Sequence, residues 1–185
     1  LKIRREVEER ASEHAIRQTF ANIPHSAGTP DSSPGGFEKM VFVSEAMRKV
    51  GEQIVRAGKA DCPVLITGES GTGKELVARA LHKERGRGPF IPKDPSALPS
   101  EFPESLILGI KERTGTDVDE NEGWFGAAAD GTLFIDQMES IPLSHQGLLL
   151  RVLQAKKYDR TGEHGEQRTV DCRIVWATDA GGSEK

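Results

Sequence analysis

Long apolar runs are missing from this 185-residue chain: no stretch could span a bilayer, and no signal-peptide pattern opens it. A cytoplasmic protein is the expectation. Cysteine is scarce. Cys62 and Cys172 lack metal-site spacing and would stay reduced in such a compartment. Excess positive charge is also absent, since the formal net charge is -4, which argues against an extended basic surface that grips nucleic acid by itself. His14, His25, His82, His145 and His164 are scattered without ligand spacing, and Ser70 and Ser96 lie in no nucleophile-elbow context. Metal-site and hydrolase-triad chemistry therefore have no support.

What is present fits one ordinary domain with an extension: 36% hydrophobic and 29% charged residues allow a packed core under a strongly solvated surface. Residues 1–20 are charge-rich, without Gly or Pro, and place Ile3, Val7, Ala11 and His14 at helical steps. That pattern predicts a helical connector or short coiled coil. Residues 21–36 carry Pro24, Gly28, Pro30, Pro34, Gly35 and Gly36 among serines, a linker composition. The expected division is a connector over 1–36 and a core over 37–185. The first residue is Leu1, not Met, so a piece of something longer is expected.

Within the core, Ala46, Met47, Val50, Ile54 and Val55 recur with helical spacing after Ser44. An apolar run, Val64 to Thr67, precedes a Gly-rich turn, and helical periodicity resumes from Leu76 to Arg85. Strand-like runs follow at Phe90-Ile91, Thr132 to Ile135 and Cys172 to Thr178, with helical segments between them, including Leu143 to Gln154. This alternation predicts an α/β layer fold with a mainly parallel sheet. Ile174, Val175 and Trp176 read as core.

The Gly-rich turn is Gly68-Glu69-Ser70-Gly71-Thr72-Gly73-Lys74-Glu75, between a strand and a helix, the context a phosphate loop requires. Its glycines let successive backbone N–H groups face inward on anionic oxygens. The helix N-terminus adds its dipole, and Lys74 adds a full positive charge for the terminal phosphates. A Gly-rich turn without ligand is the bland alternative, but it leaves a lysine at a helix N-terminus unexplained. Glu75 stands where a hydroxyl would normally help hold Mg²⁺.

Residues 64–82 resemble the Walker A region of the sigma-54-interacting AAA+ transcription activators, the NtrC-like bacterial enhancer-binding proteins, which characteristically carry Glu after the loop lysine. Four further segments match in order: Ser44 to Met47, Gly131 to Asp136 (Walker B), Leu149 to Gln154, and Asp171 to Thr178 (sensor I). The resemblance spans roughly Phe37 to Asp179. It implies a P-loop NTPase (AAA+) three-layer fold, with ATP and Mg²⁺ as cofactors and Asp136 helping to hold the metal. It also implies a ring, usually hexameric, that sets Lys74 and Asp136 against a neighbour's arginines, and a loop driven against a sigma factor of RNA polymerase. Val41 and Phe42, with Val43, occupy the segment that packs around adenine in that family; plain core is the equal alternative.

Several positions depart from the pattern. Walker B ends in Asp136-Gln137 instead of Asp-Glu, and an amide can orient a water but cannot accept its proton, a loss typically on the order of 10²- to 10⁴-fold. Asp94 falls where the family has an Asn that couples nucleotide state to the Walker B Glu, and Asp179 where it has the sensor I Asn; there an ionised Asp only accepts hydrogen bonds and repels a nearby phosphate. The sigma-contact loop keeps only Thr114-Gly115, with Arg113 at the aromatic tip position, followed by an acidic run from Asp117 to Glu122 that reads as a solvated loop. The chain stops at Lys185, before the family's arginine fingers, last core strand, lid and C-terminal DNA-binding domain. Without that last strand, Val64 to Thr67 becomes a sheet edge.

The expectation is an ATP-binding transcription regulator, tied to an upstream receiver or sensory domain, with weak or absent hydrolysis and no normal sigma-54 contact. The alternatives are a competent ATPase that compensates for Gln137 and a nucleotide-independent interaction module.

Overall fold

The computed structural model describes residues 40, 43–98, 103–114, 117–163 and 165–179. The 1–36 connector, Val41, Phe42 and the Gly115-Thr116 tip lie outside the described residues.

Ser44 starts the first helix, α1 (Glu45–Lys59), its hydroxyl accepting the Met47 N–H at 3.2 Å. Glu45 in the first turn and Arg56 and Lys59 in the last complement the helix dipole. Ile54 and Val55 are buried, as their helical spacing predicts. Helix α2 (Lys74–Arg85) starts at the loop lysine itself, two residues before the apolar periodicity begins. Its second half forms one compact unit with the described residues up to Asp61. There Gly58 lies so near Glu84 that a Cβ would come within 2.3 Å of the glutamate's, and Arg85 pairs with Asp61 at 3.1 Å.

The other unit, Cys62–Ala78 with Arg87–Lys185, carries the sheet. Strands β1 (Val64–Thr67), β2 (Phe90–Lys93), β5 (Thr132–Ile135) and β8 (Arg173–Thr178) stand in the order β1-β8-β5-β2, every neighbouring pair parallel. Register runs Thr67 to Thr178, Ile135 to Trp176 and Lys93 to Ile135, so all four carboxyl ends share one side of the sheet. Every residue of the central strand β5 is buried, the pattern of a strand covered on both faces. Among the described residues strand β1 is an edge, as expected, with alternate residues exposed.

On one face, Leu133, Ile135 and Ile174 join a core built with Ile107 and Leu108 of α3 (Ser105–Leu108), Trp124 and Phe125 of α4 (Gly123–Ala127), and Leu148, Leu149 and Val152 of α5 (Leu143–Ala155). Trp176 is only partly buried against this core, while Ile174 and Val175 are within it or fully enclosed.

One expectation fails. The acidic run is not a loop: β3 (Ile110–Thr114) and β4 (Asp117–Asn121) form an antiparallel hairpin, pairing Ile110 with Asn121 and Thr114 with Asp117. A charged strand has no apolar alternation to betray it, and its register sets Lys111 opposite Glu120. A second hairpin, β6 (Lys157–Tyr158) with β7 (Arg168–Thr169), follows α5.

Candidate functional site

The phosphate loop leaves the end of β1 and enters α2, at the side of the sheet where open α/β folds bind ligands. Gly71 and Gly73 take φ of +78° and +90°, a backbone region that side chains rarely tolerate, and they curl the loop. Thr72 braces it, donating from its hydroxyl to the Glu69 carbonyl at 2.7 Å. Lys74 lies at 8% exposure beneath the loop, donating to the Gly68 carbonyl at 3.0 Å and the Glu69 carbonyl at 3.1 Å. Its third partner is the carboxylate of Asp179, at the end of β8. The Gly68 N–H donates to the Thr178 carbonyl at 3.3 Å, so loop and strand end are tied together. A buried ammonium that already holds an anion fits a phosphate-binding role, and the exposed Glu69, Ser70 and Glu75 rim the same loop.

Asp136 and Gln137 follow β5, one strand beyond β8 and therefore roughly 10 Å from the β1 end at ordinary strand spacing. The Asp136 carboxylate accepts its neighbour's N–H, from Gln137, at 3.0 Å. Gln137 itself is left-handed, with φ 48° and ψ 53°, a conformation that costs a non-glycine residue about 1–2 kcal/mol. Such strain clusters at functional turns. Asp94 ends β2 at the far edge, and its carboxylate is occupied locally, accepting the N–H of Ser96 at 2.9 Å and its hydroxyl at 2.6 Å. The structure thus unites Lys74 with Asp179 and sets Asp136, Gln137 and Asp94 progressively farther along the sheet edge.

Glu139 was not singled out by any sequence pattern. Its carboxylate accepts the Asp179 N–H at 3.3 Å, across 40 residues of chain. Burial opposes its ionisation, but backbone N–H donors from Glu139 and Asp179 and the Thr178 hydroxyl outweigh that and hold its carboxyl below the usual value. No spacing rule could have found a contact of this kind.

A second charged cluster joins the two hairpins. Arg160 is buried and grips Glu163 through two N–H bonds, at 2.8 and 3.0 Å, and Glu120 of β4 at 2.8 Å. Lys111 and Arg168 also reach Glu163, at 3.2 and 3.3 Å. Hydrogen bonding from Arg160 holds the Glu163 carboxyl far below the carboxylate range, and Glu163 in turn raises Arg160. Backbone bonds from Lys111 to Thr161, 2.9 Å, and from Thr161 to Gly109, 3.0 Å, run beside it.

With that geometry in place, a family model described as the sigma-54 interaction domain matches residues 40–184. The chain belongs to the sigma-54 interaction domain family. Among the relatives of this domain, the response regulator protein PilR of Pseudomonas aeruginosa is 42% identical over 144 residues, which cover 76% of this chain and 32% of that protein. The DNA-binding transcriptional regulator NtrC of Azospirillum brasilense is 40% identical over 161 residues, 85% of this chain and 32% of that protein. The chain therefore spans about a third of the length of these relatives. Among solved structures, NtrX of Brucella abortus in complex with ATP matches with a TM-score of 0.66 at 31% identity, over 76% of this chain and 30% of that one. NtrX in complex with ADP matches with a TM-score of 0.62 at 33% identity, over 76% and 31%. The parallel α/β sheet of the sigma-54 interaction domain is thus shared with these structures. Among the described residues, no helix is long and apolar enough to cross a membrane.

Proposed function

We propose that this chain is the ATP-binding part of a cytoplasmic bacterial transcription regulator of the sigma-54 activator type, in which nucleotide acts as a ligand controlling conformation or assembly. Residues 37–185 form its AAA+ core, and 1–36 its tether to an upstream receiver or sensory domain of a two-component system. The observation that carries this is the buried Lys74, held under a glycine-curled loop with an anion at its ammonium. The NtrX structures solved with ATP and ADP support it.

In this reading, the N–H groups from Gly68 to Glu75 and the Lys74 ammonium bind and orient the phosphates, with Val41 and Phe42 against adenine. Asp136 is the residue that would hold Mg²⁺, which supplies charge neutralisation on the phosphate oxygens. Gln137 orients water without taking its proton, so turnover is weak or absent. Asp94 and Asp179 stand at the sensor positions. A sigma factor of RNA polymerase, a ring of like subunits, and DNA held through a C-terminal domain are the partners the family implies. The hairpin of β3 and β4, with no aromatic at its tip position, departs from the usual sigma contact.

A competent ATPase is the second reading, favoured by the Glu139 carboxylate held beside the sensor strand. Its lowered pKa makes it a weak proton acceptor, which counts against that role.

The test is equilibrium ATP binding and steady-state turnover on the chain, Lys74→Ala and Gln137→Glu. Saturable binding without turnover, lost in Lys74→Ala, is expected, with turnover rising in Gln137→Glu. Equal binding by the unsubstituted chain and Lys74→Ala would contradict the proposal. Turnover in the unsubstituted chain that collapses in Asp136→Ala would establish the competent ATPase instead.

A further inference from the structure

An ammonium group has three N–H donors, and all three of Lys74's are taken. Two acceptors, the carbonyls of Gly68 and Glu69, belong to the loop itself and can stay when an anion arrives. The third is different in kind. The Asp179 carboxylate is an anion, comes from another strand 105 residues away, and is 40% exposed beside a lysine that is 8% exposed. It stands at the lysine head, where a phosphate-loop lysine meets the terminal phosphates. It is also held there from behind, through its own N–H to Glu139 and through the Thr178 carbonyl bonded to the Gly68 N–H.

We infer that Asp179 is a tethered stand-in for the terminal phosphate, so that this site holds a nucleoside diphosphate in preference to a triphosphate. The inference rests on the loop being a nucleotide site. The β-phosphate of a diphosphate sits among the loop N–H groups while Lys74 keeps its carboxylate. A triphosphate brings a further anion to the place the carboxylate occupies. Either the ion pair breaks, or two anions share one cation at close range, and in a partly buried site that repulsion is weakly screened. An asparagine there has the same shape and can donate a hydrogen bond where the aspartate repels. Charge, not size, sets the preference.

The test titrates ADP and a non-hydrolysable β,γ-imido ATP analogue, each with excess Mg²⁺, into the full chain, Asp179→Asn and Asp179→Ser. The unsubstituted chain is expected to bind the diphosphate more tightly. Both substitutions should raise triphosphate affinity by on the order of tenfold, equivalent to about 1.4 kcal/mol, and move diphosphate affinity much less. The serine variant controls for any asparagine-specific contact, and circular dichroism checks that each protein is folded. A triphosphate-to-diphosphate ratio unchanged in both variants would overturn the inference while leaving the nucleotide site standing. Failure of all three proteins to bind either nucleotide would remove both.

Discussion

Lys74 and Arg160 are both buried cations, yet their surroundings differ in a way that separates a binding site from a clamp. Arg160 is held by two carboxylates, one of them gripped through two N–H bonds and itself reached by Lys111 and Arg168. The charges there answer one another within the cluster, with Glu163 buried and Glu120 half exposed. Lys74 is answered by two loop carbonyls and one partly exposed carboxylate from another strand. Glu120 is also partly exposed, so what sets Lys74 apart is that its carboxylate partner stands at a glycine-curled phosphate loop, where an incoming phosphate can replace it. Burial of a charge costs several kcal/mol unless it is compensated, so both cations need partners, and the setting of those partners distinguishes their roles.

The largest expected effect comes from the replaceable side. Lys74→Ala should weaken ATP binding by at least about 100-fold, roughly 2.7 kcal/mol, in a calorimetric titration, with little change in far-UV circular dichroism. Residual binding within severalfold of the unsubstituted chain would erase the distinction between the two cations.

Arg160→Leu should do the reverse. It leaves Glu163 and Glu120 without their shared cation and should lower the melting temperature by roughly 5–10 °C, while ATP affinity stays close to that of the unsubstituted chain. A large loss of affinity would mean that the hairpins and the phosphate end are one coupled system.

Acid sharpens the contrast further. Glu163 has its carboxyl depressed in the folded chain, first by Arg160, so the stability it contributes is present above the ordinary carboxylate range and lost as pH falls toward its depressed value. Melting curves from pH 7 to pH 3 should therefore fall more steeply for the unsubstituted chain than for Glu163→Gln. Parallel curves would show that the cluster contributes no pH-dependent stability.

The smallest effect belongs to the periphery of the clamp. Lys111 is 43% exposed beside Glu163, so Lys111→Ala should cost less than about 1 kcal/mol in urea denaturation.

The four strands of the main sheet were legible as short apolar runs, and α1, α2 and α5 by the helical period of their apolar residues, with the glycines of the phosphate loop punctuating the chain. Ser44 as a cap and Lys74 at a helix start follow from local chemistry. The hairpin of β3 and β4 was not legible, because its strands are charged and held by cross-strand pairing and by an arginine 40 residues from Glu120. The β6–β7 hairpin and the short helices α3 and α4 were missed because elements of so few residues carry no measurable period. At the phosphate end, the separate parts could be named from motifs, but the pairing of Lys74 with Asp179 and of Glu139 with the Asp179 N–H could not. Such contacts depend on which strands become neighbours, and β1 lies beside β8 only once the sheet has formed.

The most direct test of the contrast between the two buried cations is the shift in melting temperature caused by saturating Mg-ATP, measured on the unsubstituted chain, Arg160→Leu and Lys74→Ala. A ligand that binds the folded state raises that temperature by mass action. The account predicts the same upward shift in the unsubstituted chain and in Arg160→Leu, from a lower starting temperature in the latter, and none in Lys74→Ala. An equal shift in Lys74→Ala would contradict it.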